Sequence, residues 1–235
     1  MHLSSESLHG AICPVTAIMA IVGVSVAAFL LSKGHHRPSR REFILTTVAV
    51  LALQAVNYPL PGGFSGHMLG AALAVSLLGL PAGILSMTSV ITLQCLLFAD
   101  GGRMQLGANI LNMAIVASLT GALLQGRQHS LSRVFSASAL SVLMAVMAIA
   151  IELLLDDRNE AALLIQPLVL YHLPIALIEG TITTAILVVL QSESLRVDTR
   201  RSWAIAALTV IAIAMLPFAS SAPDALETVL LMNFH

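Results

Sequence analysis

The sequence predicts an all-α polytopic membrane protein, and three observations carry that prediction. Only 10% of the 235 residues are charged while 57% are hydrophobic; a soluble domain, which must wet its whole surface, carries roughly 25% charged residues. The apolar residues gather into unbroken runs of about 20, the length at which a helix crosses a ~30 Å hydrocarbon core, whereas a barrel would alternate apolar and polar positions. The cationic residues fall in the gaps between runs, and nearly all of them fall in alternate gaps.

The runs lie near 11–31, 42–60, 67–80, 82–99, 105–125, 134–155, 163–190 and 203–219. Ahead of the first stands "MHLSSESLHG", which has no Lys or Arg and carries Glu6. A signal peptide opens on a basic region, so this segment is expected to be retained, with the N-terminus outside. The third run is short and meets the fourth through "GLPAG", the pattern of a tight helical hairpin. The seventh carries Pro167 and Pro174 and is expected to tilt, kink or begin outside the bilayer. With the N-terminus outside, the inner gaps hold Lys33, Arg37, Arg40, Arg41, Arg127, Arg133, Arg196, Arg200 and Arg201, and the outer gaps only Arg103 and Arg158. Cationic residues favour the cytoplasmic side, so nine of eleven inside fixes the expected orientation. The acidic run Asp156 to Glu160 then lies outside, and the short basic inner loops read as anchors to lipid.

Several functions are excluded at this level. A net charge of −1 gives no field for nucleic acid. Cys13 and Cys95 sit in apolar surroundings with neither ligand spacing nor a disulfide framework. No Gly-x-x-x-x-Gly-Lys-Ser/Thr pattern exists for ATP, so any energy must come from other subunits. An intramembrane metallohydrolase built on histidines and Glu179 lacks a His-Glu-x-x-His pattern.

The outer loops collect the polar chemistry. His2 is too bulky for removal of Met1, so the chain is expected to begin with a free amine. That amine, the His2 amide nitrogen once deprotonated, and the His2 ring close two fused chelate rings. Three nitrogens in a plane suit square-planar Ni(II) or Cu(II) and leave one corner open. His67, in "PGGFSGHMLG" on the same outer face, is the candidate fourth donor. Among other polar groups, Asn109 and Asn112 are expected to bond the loop bearing His67 or a ligating ring. Asp100 is expected to brace the Asp-Gly-Gly turn. His172 and Glu179, seven apart on one helix face, are expected to bond to neighbouring polar groups. His35 and His36 read as solvated.

The stretch from Pro61 to Val116 resembles the substrate-binding subunits of energy-coupling-factor transporters for cobalt and nickel, the CbiM/NikM family. The residues that carry the resemblance are Pro61-Gly62-Gly63, Ser65-Gly66-His67, Leu78 to Pro81, Asp100-Gly101-Gly102 and Leu106 to Met113, with Asn57 and the initial Met1-His2. It implies a seven-helix core, here with one additional C-terminal transmembrane helix. It also implies that Ni2+ or Co2+ is held as transported substrate by the Met1 amine, the backbone and ring nitrogens of His2, and the ring of His67. The implied setting is a plasma (inner) membrane, and the implied role is that of a transport subunit, not an enzyme. The implied partners are a transmembrane coupling subunit, a pair of ATPase subunits and a small accessory membrane subunit. The chain departs from the family at Leu3 to Glu6, which replace an Ile-Pro-Asp-Gly continuation, and His9 has no family role. The tail "SSAPDALETV" resembles the Pro-Asp-Gly-Leu-Glu motif of the accessory subunit. Residues 1–200 are thus expected to form the metal-binding core and 201–235 a further helix with a partial partner-like tail. A fold of this family that has lost transport is the remaining alternative.

Overall fold

Apolar runs become helices where nothing interrupts their hydrogen bonding, and the interruptions decide where this fold departs from a plain row of spans. The computed structural model describes residues 1–5, 7–34, 37–125, 130–156, 161–190 and 198–234. The expectations for His35, His36, Arg127, Arg158, Arg196 and most of the acidic run lie outside them.

Helices α1 (Ile12–Lys33) and α2 (Arg40–Ala55) come first. α2 starts at a capping box: Ser39 Oγ accepts from the Glu42 amide at 3.1 Å, and the Glu42 carboxylate accepts from the Ser39 amide at 2.9 Å. The run expected to continue to residue 60 stops at Ala55, because Pro59 and Pro61 cannot supply helical amide donors. In place of the last turn, strands β1 (Tyr58–Leu60) and β2 (Phe64–Gly66) form a short antiparallel hairpin, with Pro59 opposite Ser65. α3 (Ala71–Leu78) is eight residues long, roughly 12 Å at 1.5 Å per residue, and cannot cross a bilayer alone. Its apolar side chains are buried on all sides except at Ser76 and Leu77, as expected of a helix packed within a bundle. α4 (Leu80–Leu97) follows directly after Gly79, so the expected tight helical hairpin forms around a shorter first arm.

α5 (Leu106–Asn109) runs through a π-helical stretch, Ile110–Val116, into α6 (Ala117–Gln125). α7 (Leu131–Leu155) and α8 (Ala161–Leu190) pack along their length, with Pro167 and Pro174 inside α8. α9 (Asp198–Met215) packs on α2, and a 3-10 turn, Leu216–Phe218, leads to α10 (Ala225–Phe234). Among the described residues six helical segments are long and apolar enough to span a membrane: 12–33, 80–97, 106–125, 131–155, 163–190 and 200–218. Their rim is apolar, with Ile18, Ile21, Phe29, Leu163 and Val210 all exposed, a surface that only lipid or another membrane protein solvates.

Two segments with no counterpart among the expected spans pack into the core. The N-terminal arm, 1–10, is drawn into the core, with Met1, Leu3 and Leu8 at most 1% exposed. α10, which the sequence did not suggest, lies on α8 and β2 and buries Ala225, Leu226 and Val229. Cys13 and Cys95 are both free and buried.

Candidate metal centre

The arm is held along its backbone. Leu3 donates its amide to Asn109 Oδ1 at 2.8 Å, and its carbonyl accepts from Asn109 Nδ2 at 3.2 Å and from the Gly102 amide at 2.9 Å. Gln105 Nε2 donates to the carbonyls of Ser5 and Leu8 at 3.1 and 2.7 Å. The Asp-Gly-Gly turn lets this happen: a Cβ on Gly102 would come within 2.8 Å of the Ser5 backbone. Ser4 and Ser7 bond one another, tightening the arm into a turn.

This anchoring brings Met1, His2 and His67 together. The Met1 amine lies 3.0 Å from His67 Nε2. His67 Nδ1 is 2.9 Å from the Met68 carbonyl, which can only accept, so Nδ1 carries the proton and the Nε2 lone pair faces the amine. The rings of His2 and His67 stack at 5.7 Å between centroids and 18° between planes. His2 Nδ1, the ring nitrogen that closes a six-membered chelate with its own amide, is 3.2 Å from Asp100 Oδ1, so chelation requires it to leave that carboxylate. His2 Nε2 is buried with no partner among the described residues.

One carboxylate at the centre was not anticipated. Asp224, from the Pro-Asp-Ala-Leu-Glu motif of the tail, pairs with the Met1 amine. The tail is fixed there by Ser65, whose amide donates to the Pro223 carbonyl and whose hydroxyl donates to that of Ala222, both at 2.8 Å. Ser220 adds a bond to the Asn57 carbonyl at 2.7 Å. The motif itself was visible in the sequence, but nothing local tied it to Met1.

The electrostatics follow from this packing. Burial pushes the His67 imidazole down to about 3, helped by the Met1 amine and His2 and opposed by Asp224 and the Met68 carbonyl. Burial alone would raise Asp100, but its hydrogen bond to His2 and the positive charge nearby hold it down to about 2. Asp224 is held below the usual carboxylate range: burial would raise it, and the amine, His67 and the Glu227 amide outweigh that.

The remaining candidates go elsewhere. Asn109 bonds the arm rather than the His67 loop or a histidine ring. Asn112, expected beside it, turns away and donates to Glu152 at 2.7 Å, because the π-helical stretch carries it towards α7. Asp100 faces His2 rather than bracing its own turn. Glu179 bonds backbone amides of the His67 segment, and His172 Nδ1 bonds its own helix at Leu168, 2.7 Å away. The exposed His9 ring lies 3.8 Å from Asp156, away from the centre. Among the described residues no three His, Cys, Asp or Glu side chains converge as a metal cage. The groups that do meet are the Met1 amine and the His67 ring, with the His2 ring stacked alongside.

Comparison with known proteins bears on most of the chain. Residues 2–198 match the model of the CbiM family, described as a cobalt uptake substrate-specific transmembrane region. A protein of Archaeoglobus fulgidus named as a fused nickel transport protein, NikMN, is 33% identical over 177 residues, covering 73% of this chain and 60% of its own length. A fused nickel transport protein NikMN of Rhodobacter capsulatus is 31% identical over 127 residues, 52% of this chain and 35% of its own. A cobalt transport protein CbiM of Lachnoclostridium phytofermentans is 26% identical over 206 residues, 82% of each chain. The chain therefore spans less than two thirds of the length of the fused relatives. A crystal structure of a truncated transition metal transporter superposes with a TM-score of 0.70 and 28% identity, covering 81% of this chain and 98% of that one.

Proposed function

The chain belongs to the CbiM family of cobalt-uptake substrate-specific transmembrane regions, and from that premise we propose that it is the metal-capturing membrane subunit of a transporter that imports Ni2+ or Co2+. The metal is held by the Met1 amine, the deprotonated amide and Nδ1 of His2, and Nε2 of His67. The observation that carries this reading is the 3.0 Å approach of the Met1 amine to His67 Nε2, with the His2 ring stacked alongside. In a planar four-nitrogen set, the amine and His67 occupy neighbouring corners, as their contact suggests. Such a site favours Ni(II) among the first-row ions the family transports. Asp224 and Asp100 lie just outside the donors and offset the charge of the captured ion.

The orientation we infer puts the N-terminus and both aspartates outside, from the nine cationic residues of the inner gaps. With no ATP-binding motif in the chain, uptake is driven by a separate coupling subunit and ATPases, as the resemblance implies. The tail from Ser220 to Phe234 takes the place, in this chain, of part of the small accessory subunit, in keeping with the fused relatives.

The test is Ni(II) and Co(II) binding by purified protein with its native, untagged N-terminus. It is compared with a variant carrying two residues ahead of Met1, and with His2→Ala and His67→Ala. If all three bind as the unmodified chain does, the proposed site is wrong.

A further inference from the structure

Glu179 is wholly buried on α8, where an ionisable side chain is costly unless every oxygen is satisfied. Its two carboxylate oxygens each accept from a backbone amide: Leu69 donates to Oε2 and Gly70 to Oε1, both at 2.8 Å. These amides follow His67 by two and three residues, where the chain turns into α3. The first amides of a helix lack intrahelical partners. α3 has no side-chain cap of its own, because its N-cap is Gly70, at φ +74, a left-handed conformation that glycine adopts freely. A Cβ there would also come to 3.0 Å from Val50. The N-cap amide, which in a capping box is bonded by a Glu or Gln of the helix's own first turn, is bonded here by a carboxylate from another helix 109 residues away.

A second helix holds the same point from the opposite side, for Gln54 Nε2 of α2 donates to the Leu69 carbonyl at 2.6 Å. α8 tracks the whole segment: Tyr171 packs its ring on Phe64 at 4.8 Å, and a Cβ on Gly66 would lie 2.7 Å from Ile175. Positions 171, 175 and 179 are four apart and share one helix face, which runs along residues 64–70. We propose that Glu179 is a positioning residue for metal capture: through the Leu69 and Gly70 amides it fixes the backbone that carries His67, so that Nε2 stands at the open corner of the Met1-His2 chelate. This inference rests on the site proposed above.

The test is a double-mutant cycle on the full chain with a native N-terminus, titrated with Ni(II) and followed by visible absorption. Gln has one acceptor where Glu has two, and its NH2 would face a backbone N–H. Glu179→Gln is therefore expected to weaken Ni(II) binding by roughly 10- to 100-fold, the usual effect of losing a group that orients a ligand. Its spectrum should shift towards that of His67→Ala. In the His67→Ala background the same substitution should change affinity by less than about twofold, since the ligand it positions is gone. Glu152→Gln, which removes a buried carboxylate that accepts from Asn112 rather than from the segment carrying His67, should leave the Ni(II) spectrum unchanged. Glu179→Gln indistinguishable from the unmodified chain, an equal loss in the His67→Ala background, or an equal loss from Glu152→Gln would each overturn the assignment. Should Glu179→Gln not fold in detergent, Gln54→Leu enters the same cycle, with a smaller loss expected that again vanishes with His67. If the unmodified chain itself shows no Ni(II) binding sensitive to added N-terminal residues, the site reading fails, and that failure is separate from any result at Glu179.

Discussion

The N-terminal arm and the C-terminal tail both end at the Met1 amine, but they are held there differently. The arm is bonded along its backbone by Asn109, Gln105 and Gly102, and in the proposed site it brings the metal's donors. The tail is bonded to the hairpin through Ser65 and Asn57 and brings one carboxylate. Donors determine how tightly an ion is held, whereas a neighbouring carboxylate can only adjust the field around it. The difference predicts that changes to the arm alter affinity and changes to the tail alter closure.

The largest effect is expected from two added residues before Met1. They convert the amine to an amide and remove the terminal donor of the five-membered chelate ring. Ni(II) affinity should fall at least about a hundredfold, ~2.8 kcal/mol at 1.4 kcal/mol per decade. A residue added after His235 should leave it unchanged. Equal losses from both additions, measured by calorimetry, would erase the distinction between the two ends.

Next comes Asn109→Ala, which leaves the buried Leu3 amide without its partner and removes one of two donors to the Leu3 carbonyl. An unsatisfied buried amide costs about 1–3 kcal/mol. Docking of the arm, and with it Ni(II) affinity, should weaken roughly tenfold. Ni(II) binding unaltered in Asn109→Ala would mean that the arm reaches its place without this clamp.

Why the arm was legible and the tail was not follows from distance along the chain. The chelate proposed at Met1 and His2 is local chemistry between consecutive residues, so it can be proposed without any fold. His67 needed only the topology of the loops. Asp224 meets Met1 through a contact spanning 223 residues, and its motif suggested a partner protein rather than a place. The long spans were readable because six runs continue unbroken, whereas α2 ends early at Ala55, ahead of Pro59, and α3 at Leu78, ahead of Gly79, features that hydropathy averages away. Strands of three residues leave no periodicity to detect, so the hairpin that seats both His67 and the tail had to come from the structure. Asn112 was misplaced because an i, i+3 spacing assumes an α-helix, and the stretch beginning at Ile110 is π-helical.

Asp224→Ala sharpens the comparison from the tail's side. In the empty site the carboxylate faces the single charge of the ammonium group. In the loaded site it would face a dication less the charge of the His2 amidate, again one net positive charge. Its attraction is therefore similar in both states, and equilibrium affinity should change by less than about fivefold (~1 kcal/mol). Closure should change more: amide exchange at Ser65 and Ser220, protected by the tail contacts, should speed up. A hundredfold loss of affinity in Asp224→Ala would instead make the tail's carboxylate a ligand.

The smallest effect expected is on the slope of affinity with pH, and it isolates which donors compete with protons. Metal binding by this set releases protons from the amine and the amide, so affinity falls on acidification. His67 contributes little to that fall. With its imidazole pushed down to about 3 from 6.5, the ring is already neutral across pH 5 to 8 and offers its lone pair throughout. A histidine at its ordinary value would begin to take up protons near pH 6.5 and would steepen the slope below it. The slope of log affinity against pH between about 5 and 7 should therefore be the same in the unmodified chain and in His67→Ala, although the second binds far more weakly. A slope shallower in His67→Ala would mean that the ring is protonated in the empty site, and that the arm does not bury it as the structure describes.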